Sequence, residues 1–373
     1  MASEPGFLPR DGLDRLIEVL RRDGREVIGP RVRDGAIVYA PIATAADLPT
    51  GVRDAQSPGA YALNAASSAE RQFAWANGPQ ALKPLVFSPR ERLWTSWHAP
   101  ANGLHFGAAA HTTRPTAVIG VRACDLAALD LQDRHFLREP YADPAYRARR
   151  ESLFLVAVHC THPADTCFCV STGDGPEAAK GFDLALHEID AGFVVTSGSN
   201  AGAEVLASLP LAVPAEAQRD EARAGVAAAA AAQTRRLPAR DLRPALLARI
   251  EDPHWQVVAE RCLSCGNCTA VCPTCFCNAE IEEPVSDGSV SEHFRQWDSC
   301  FTAGHSRLHG IVVRADTLAR YRQWLIHKLA TWHDQYGRSG CVGCGRCIAW
   351  CPVGIDLTAE VAVLCDDGEG VAP

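Results

Sequence analysis

The spacing of hydrophobic positions changes several times along the chain, and each change marks an element. Leu13, Leu16, Ile17 and Leu20 recur every three or four residues, predicting a helix over Gly12–Arg22 with Asp11 as its N-cap. Glu26–Arg33 and residues 36–40 flank Asp34-Gly35, a dipeptide that favours a two-residue hairpin. Residues 117–121 and Leu153–Val158 are apolar runs without alternation, as in strands buried on both faces. The first leads into a helix predicted over 125–136, with Asp125 near its N-cap. Residues 182–188 and Gly192–Ser197 predict another strand pair. Strand, helix and strand in this order imply a parallel or mixed sheet, so the N-terminal half reads as α/β. Residues 41–115, rich in Pro, Gly and Ala with little periodicity, read only as irregular segments with short elements.

Residues 219–236 are Ala-rich and polar, with Ala227 to Ala232 uninterrupted. Alanine favours helix, but there is little apolar face to bury, which predicts a helical linker or surface helix before Pro238. The clearest helical period lies at 316–336. There Leu318, Tyr321, Trp324, Leu325, Lys328, Leu329 and Trp332 share a face, with Asp316 placed as cap. Such a stripe by itself means core packing. The pattern divides the chain into an α/β unit at 1–218, an Ala-rich linker at 219–238 and a second unit at 239–373.

Composition narrows the class. With 47% hydrophobic and 21% charged residues the chain is ordinary for a water-soluble fold, and no apolar run reaches the length of a bilayer. A formal net charge of −8 gives no general attraction to nucleic acid or anionic membranes. The opening Met1-Ala-Ser-Glu-Pro-Gly lacks the basic and apolar regions of a secretion signal, so a cytoplasmic protein is expected. Cysteine is the outlier: all 16 fall between Cys124 and Cys365, in groups. In a reducing compartment, grouped cysteines serve as metal ligands more readily than as disulfides.

Two groups share the spacing C-x2-C-x2-C-x3-C-P. One is Cys262, Cys265, Cys268 and Cys272 before Pro273; the other is Cys341, Cys344, Cys347 and Cys351 before Pro352. Where such runs hold two [4Fe–4S] clusters, the first three cysteines bind one cluster and the fourth reaches the other. The small Gly266 and Gly345 let backbone amides approach the sulfides, and the proline turns the chain where a backbone donor is dispensable. The predicted ligand sets are therefore crossed. Cluster 1 takes Cys262, Cys265, Cys268 and Cys351; cluster 2 takes Cys341, Cys344, Cys347 and Cys272. Structural zinc favours separated C-x2-C pairs, so a zinc-binding scaffold fits the triplets poorly. The C-terminal unit reads as an α-helical dicluster ferredoxin-like domain.

Two readings are open for Cys124, Cys160, Cys167 and Cys169, which stand at strand ends and loops. Either they converge at one sheet edge to hold a third [4Fe–4S] cluster, or they pack as small hydrophobes. Cys275, Cys277 and Cys300 serve that third site or line the path between clusters; Cys365 carries no assignment. The usual nucleotide-binding fingerprints are missing, and no catalytic residue is picked out. His305 and His309, without an H-E-x-x-H context, read as solvated or packing.

With these motifs the chain resembles the beta subunit of cytoplasmic sulfhydrogenases, the NAD(P)-linked [NiFe] hydrogenases, and the related A subunit of anaerobic sulfite reductase. The resemblance rests on Arg122-Ala-Cys124-Asp125, on Asp143, Tyr146 and Arg149-Arg150, and on Cys160 with Cys167-Phe168-Cys169. It continues through Gly181-Phe-Asp183, Cys272-Pro-Thr-Cys275-Phe-Cys277, Tyr321-Arg-Gln, His327-Lys328-Leu329 and both cysteine runs. It implies an electron-transfer subunit that makes no bonds itself. Its partners would be a flavin-bearing NAD(P) subunit and a [NiFe] hydrogenase core. The alternative is the electron-transfer subunit of an anaerobic sulfite or polysulfide reductase.

Overall fold

The computed structural model describes residues 4–65, 70–99, 103–110 and 112–366. Its main strands are β1 (Gly6–Pro9), β2 (Glu26–Arg33), β3 (Ala36–Pro41), β4 (Val52–Ser57), β5 (Ala60–Ala65), β6 (Arg90–Ala99) and β7 (Gly103–Ala108). They continue with β8 (Thr116–Val121), β9 (Leu153–Val158), β10 (Leu184–Ile189), β11 (Gly192–Ser197), β12 (Asn278–Pro284) and β13 (Val290–Trp297).

Seven strands form one mixed sheet in the order β1-β11-β10-β9-β8-β2-β3. β2, β8, β9 and β10 are parallel at its centre, and the antiparallel pairs lie toward the edges. β8 and β9 are buried almost throughout, as their unbroken apolar runs require. Leu16, Ile17 and Leu20 of the Gly12–Arg22 helix join one core layer with Phe73, Trp75 and Phe193. On another, Leu126, Leu129 and Phe136 of the Ala123–Phe136 helix pack with Val118, Val121 and Leu155. The α/β expectation therefore matches the fold. So does the hairpin, where Asp34 and Gly35 take φ of 50° and 73°, both in the left-handed region a tight turn needs.

Three local expectations differ. Asp11 has helical backbone angles and makes no side-chain cap bond. The helix expected from Asp125 starts at Ala123 with Arg122 at the cap position, because the Asp125 carboxylate is drawn into a buried ion pair. Residues 41–115 hold four strands; β6 is half-buried along much of its length, so no alternation announces it.

A second sheet runs β12-β13-β6-β7 and so joins strands from either side of the expected 219–238 division. The Ala-rich stretch forms the helix Glu216–Ala231, burying Ala222, Val226 and Ala229. Ala222 packs with Ile189 and Val194 of β10 and β11, since its small side chain permits close approach. The stripe at 316–336 folds as Thr317–Ile326, a π-helical turn at His327–Thr331, and Trp332–Tyr336. Asp316 caps it, accepting from the Ala319 amide at 2.7 Å. Tyr321, Leu325 and Leu329 bury against Trp255, Leu357 and Val361, a helical core for the C-terminal part. Among the described residues, no helix is long and apolar enough to cross a membrane.

Candidate metal centres

The two cysteine runs fold alike. In each, the residue two beyond the first cysteine takes a positive φ, Ser264 at 50° and Gly343 at 63°. That twist turns its amide onto the cysteine: Ser264 N donates to Cys262 Sγ and Gly343 N to Cys341 Sγ, each at 3.4 Å. Gly266 and Gly345, also at positive φ, then start short helices at Asn267–Ala270 and Arg346–Ala349 that carry the third cysteine.

Cys351 of the second run reaches the cysteines of the first. Cys262, Cys265, Cys268 and Cys351 line one pocket, to which Cys347 of the second run also contributes, and whose walls include Phe301, Tyr321, Trp324 and Leu357. The Ile355 amide donates to Cys351 Sγ at 3.4 Å. Cys265 is exposed and its neighbour Leu263 is 63% exposed, so this pocket lies at the surface. Burial pushes the Cys268 thiol well above its ordinary range, and nearby cysteines add to the shift.

Cys272 faces the second run. Burial pushes Cys341 up to about 12 and Cys347 well above its ordinary range, and Cys272 is among the thiolates adding to both shifts. Cys272 itself goes the other way. A hydrogen bond from the Cys275 thiol, with the Lys328 ammonium nearby, holds it well below the usual thiol range. The Lys328 Nζ lies 3.4 Å from Cys272 Sγ and donates to it.

In neither quartet do three sulfurs all lie within 4.8 Å of one another. Among the described residues, the only three-ligand group with its atoms within 4.8 Å of one another is His159, Glu177 and His187. A tetrahedral zinc, with Zn–S near 2.3 Å, would hold its sulfurs only about 3.8 Å apart. Four thiols that converge on an apolar pocket without closing to that distance suit a four-iron cubane. The His159 and His187 rings are themselves stacked 3.6 Å apart and 17° from parallel.

The other four predicted ligands gather next to the second run. β8 and β9 end at Val121 and Val158, and Cys124 and Cys160 follow these carboxyl ends, where open α/β sheets bind ligands. Cys167 and Cys169 lie on a loop packed backbone to backbone on the second run. Phe168 N donates to Gly343 O at 2.8 Å, and Cys167 Sγ lies 3.9 Å from Cys344 O. Burial raises the Cys124 and Cys167 thiols well above their usual range; Cys344 and Cys169 add to both shifts, and Cys160 to that of Cys167.

This packing leaves no room for side chains. A Cβ on Gly343 would lie 2.5 Å from the Cys169 amide nitrogen, and one on Gly345 2.3 Å from Thr166 O. The equivalent Gly266 meets only the Ser299 side chain, at 2.9 Å.

Sequence reasoning passed over several charged residues around these centres. Arg346 and Asp125, each 1% exposed, form an ion pair at 2.9 Å beside Cys344 and Cys124. Lys83, also buried, donates to the carbonyls of Thr269 and Ala270. His305, expected to be solvated or packing, instead binds Asp298 through Nδ1 at 2.7 Å. Contact with Cys277 and then Asp298 raises it to about 9. Hydrogen bonding from Cys300, then from His305, holds Cys277 down at about 4. One signal was available: Lys328 is the single charged residue in the apolar stripe of its helix.

The family described as 4Fe-4S dicluster domain matches residues 261–355, the span that contains both runs. Sulfhydrogenase 2 subunit beta of Pyrococcus furiosus is 33% identical over 257 residues, covering 68% of this chain and 74% of that protein. The chain belongs to the sulfhydrogenase beta-subunit family. It is an iron–sulfur protein of that family, with a mixed α/β N-terminal part and a C-terminal dicluster region. No solved structure matches it.

Proposed function

We propose that this chain is the electron-relaying subunit of a soluble hydrogenase complex, placed between a flavin-bearing NAD(P) subunit and a [NiFe] core. The observation that carries the reading is the pocket where Cys351 of the second run joins Cys262, Cys265 and Cys268 of the first. Cluster 1 is assigned to these four and cluster 2 to Cys341, Cys344, Cys347 and Cys272. Cys124, Cys160, Cys167 and Cys169 are assigned to a third cluster beside the second. Bound clusters would supply one-electron transfer, with potentials set by net charge, hydrogen bonds to sulfur and solvent exposure.

The chain's own part is positioning. Backbone amides of Ser264, Gly343 and Ile355 donate to cysteine sulfurs, and Phe301, Tyr321 and Trp324 wall the first pocket. The contact of Phe168 with Gly343 supports a line of three centres, the third beside the second. Anaerobic purification from the native host tests the assignment. Co-purifying nickel and flavin support it, whereas co-purifying siroheme would move the chain to the sulfite-reductase reading. Colourless, iron-free protein holding zinc would end both.

A further inference from the structure

Lys328 is 4% exposed, an unusual place for an ammonium. It stands in the π-helical turn His327–Thr331, where one extra residue per turn redirects side chains; such turns often mark functional sites. Its Nζ has three protons and three acceptors: Thr274 Oγ1 at 2.9 Å, Cys272 Sγ at 3.4 Å and Gly340 O at 3.5 Å. Two of these are neutral oxygens. The third is a sulfur already assigned to cluster 2.

The first pocket has no counterpart. Among the described residues, no lysine or arginine donates to the sulfurs of Cys262, Cys265, Cys268 or Cys351; Cys262 and Cys351 receive backbone amides. Lys83, the other buried lysine nearby, spends its bonds on carbonyl oxygens. A cation placed on one ligand sulfur stabilises whichever redox state carries more negative charge.

We infer that Lys328 is a potential-setting residue: its ammonium, bonded to the Cys272 sulfur, raises the reduction potential of cluster 2 while leaving cluster 1 untouched. Reduction adds one electron to the Cys272-ligated cluster, taken from a donor cluster or, in the test tube, from dithionite, which is oxidised. No bond forms or breaks, and Lys328 keeps its proton. The inference rests on the assignment of Cys272 to cluster 2.

The test is an EPR-monitored redox titration of the full-length anaerobic chain as wild type, Lys328→Met, Lys328→Gln and Lys328→Arg. Methionine should lower the midpoint potential of one cluster at unchanged iron content, glutamine should lower it less, and arginine should hold it near wild type. The same shift should persist in the Cys268→Ser background, where cluster 1 is lost or converted and cannot be its source. Should the methionine variant lose iron, the glutamine and arginine pair carries the same comparison. Midpoints unmoved across the series, or both clusters moving together, would overturn the role of Lys328. Wild-type protein without two cluster signals would instead overturn the assignment beneath it.

Discussion

The two cysteine runs use one loop twice and set it in opposite surroundings. The first loop faces outward: Cys265 is exposed, Ser264 is tolerated at positive φ with its hydroxyl bonded to Thr317, and Gly266 has only a movable side chain opposite. The second is pressed between the Cys167–Cys169 loop and the helical core, where Gly343 and Gly345 abut backbone and Arg346 and Lys328 bring buried charge. Local sequence fixes the loop; what surrounds it fixes what the metal experiences. In the first pocket the walls are aromatic and the edge is wet. Around the second, the environment is dry, polar and charged.

The largest effect should come from the exchanged cysteines. Cys351→Ser, though in the second run, should damage cluster 1, and Cys272→Ser, though in the first, should damage cluster 2. Each substitution should remove up to about four iron atoms per chain or convert the cluster. Paired iron assays and EPR check this, and an effect confined to each cysteine's own run breaks the crossed arrangement.

Next comes the ion pair that only the second site has. Arg346→Met leaves Asp125 as a buried charge, which should cost about 3–5 kcal/mol in a denaturant titration. An unchanged midpoint would mean that the pair contributes little to the contrast. The glycines sharpen it further: Gly345→Ala should be destabilising by about 1–3 kcal/mol more than Gly266→Ala, because backbone at Thr166 cannot yield as the Ser299 side chain can. Equal losses would show that the two loops are held alike.

The smallest effect should be shared. The Asp316 cap starts the helix that brings Tyr321 and Trp324 to the first pocket and Lys328 to the second. Asp316→Ala should cost about 1 kcal/mol in thermal or denaturant unfolding. Both cluster spectra should stay as in the wild type.

Much of this was legible in the chain itself. The unbroken apolar runs of β8 and β9 announce the buried sheet centre, and Asp34-Gly35 announces its hairpin. The spacing before Pro273 and Pro352 predicts the dicluster region that the family model matches at residues 261–355. What stayed hidden depends on contacts between distant residues. Arg346 and Asp125 are 221 positions apart, and nothing local to either marks the other as its partner. β6 carries no alternation because neither face is fully buried, and its pairing with β13 from far down the chain gives no local signal. Asp11 looked like a cap by residue type alone, yet its backbone is already helical.

Diffraction from anaerobic, iron-loaded crystals at the iron absorption edge tests the exchange of ligands most directly. Separate four-iron peaks are expected, one enclosed by Cys262, Cys265, Cys268 and Cys351, a second by Cys341, Cys344, Cys347 and Cys272, and a third beside Cys124, Cys160, Cys167 and Cys169. Peaks each held by the four cysteines of a single run, or a lone zinc ion in either pocket, would contradict it.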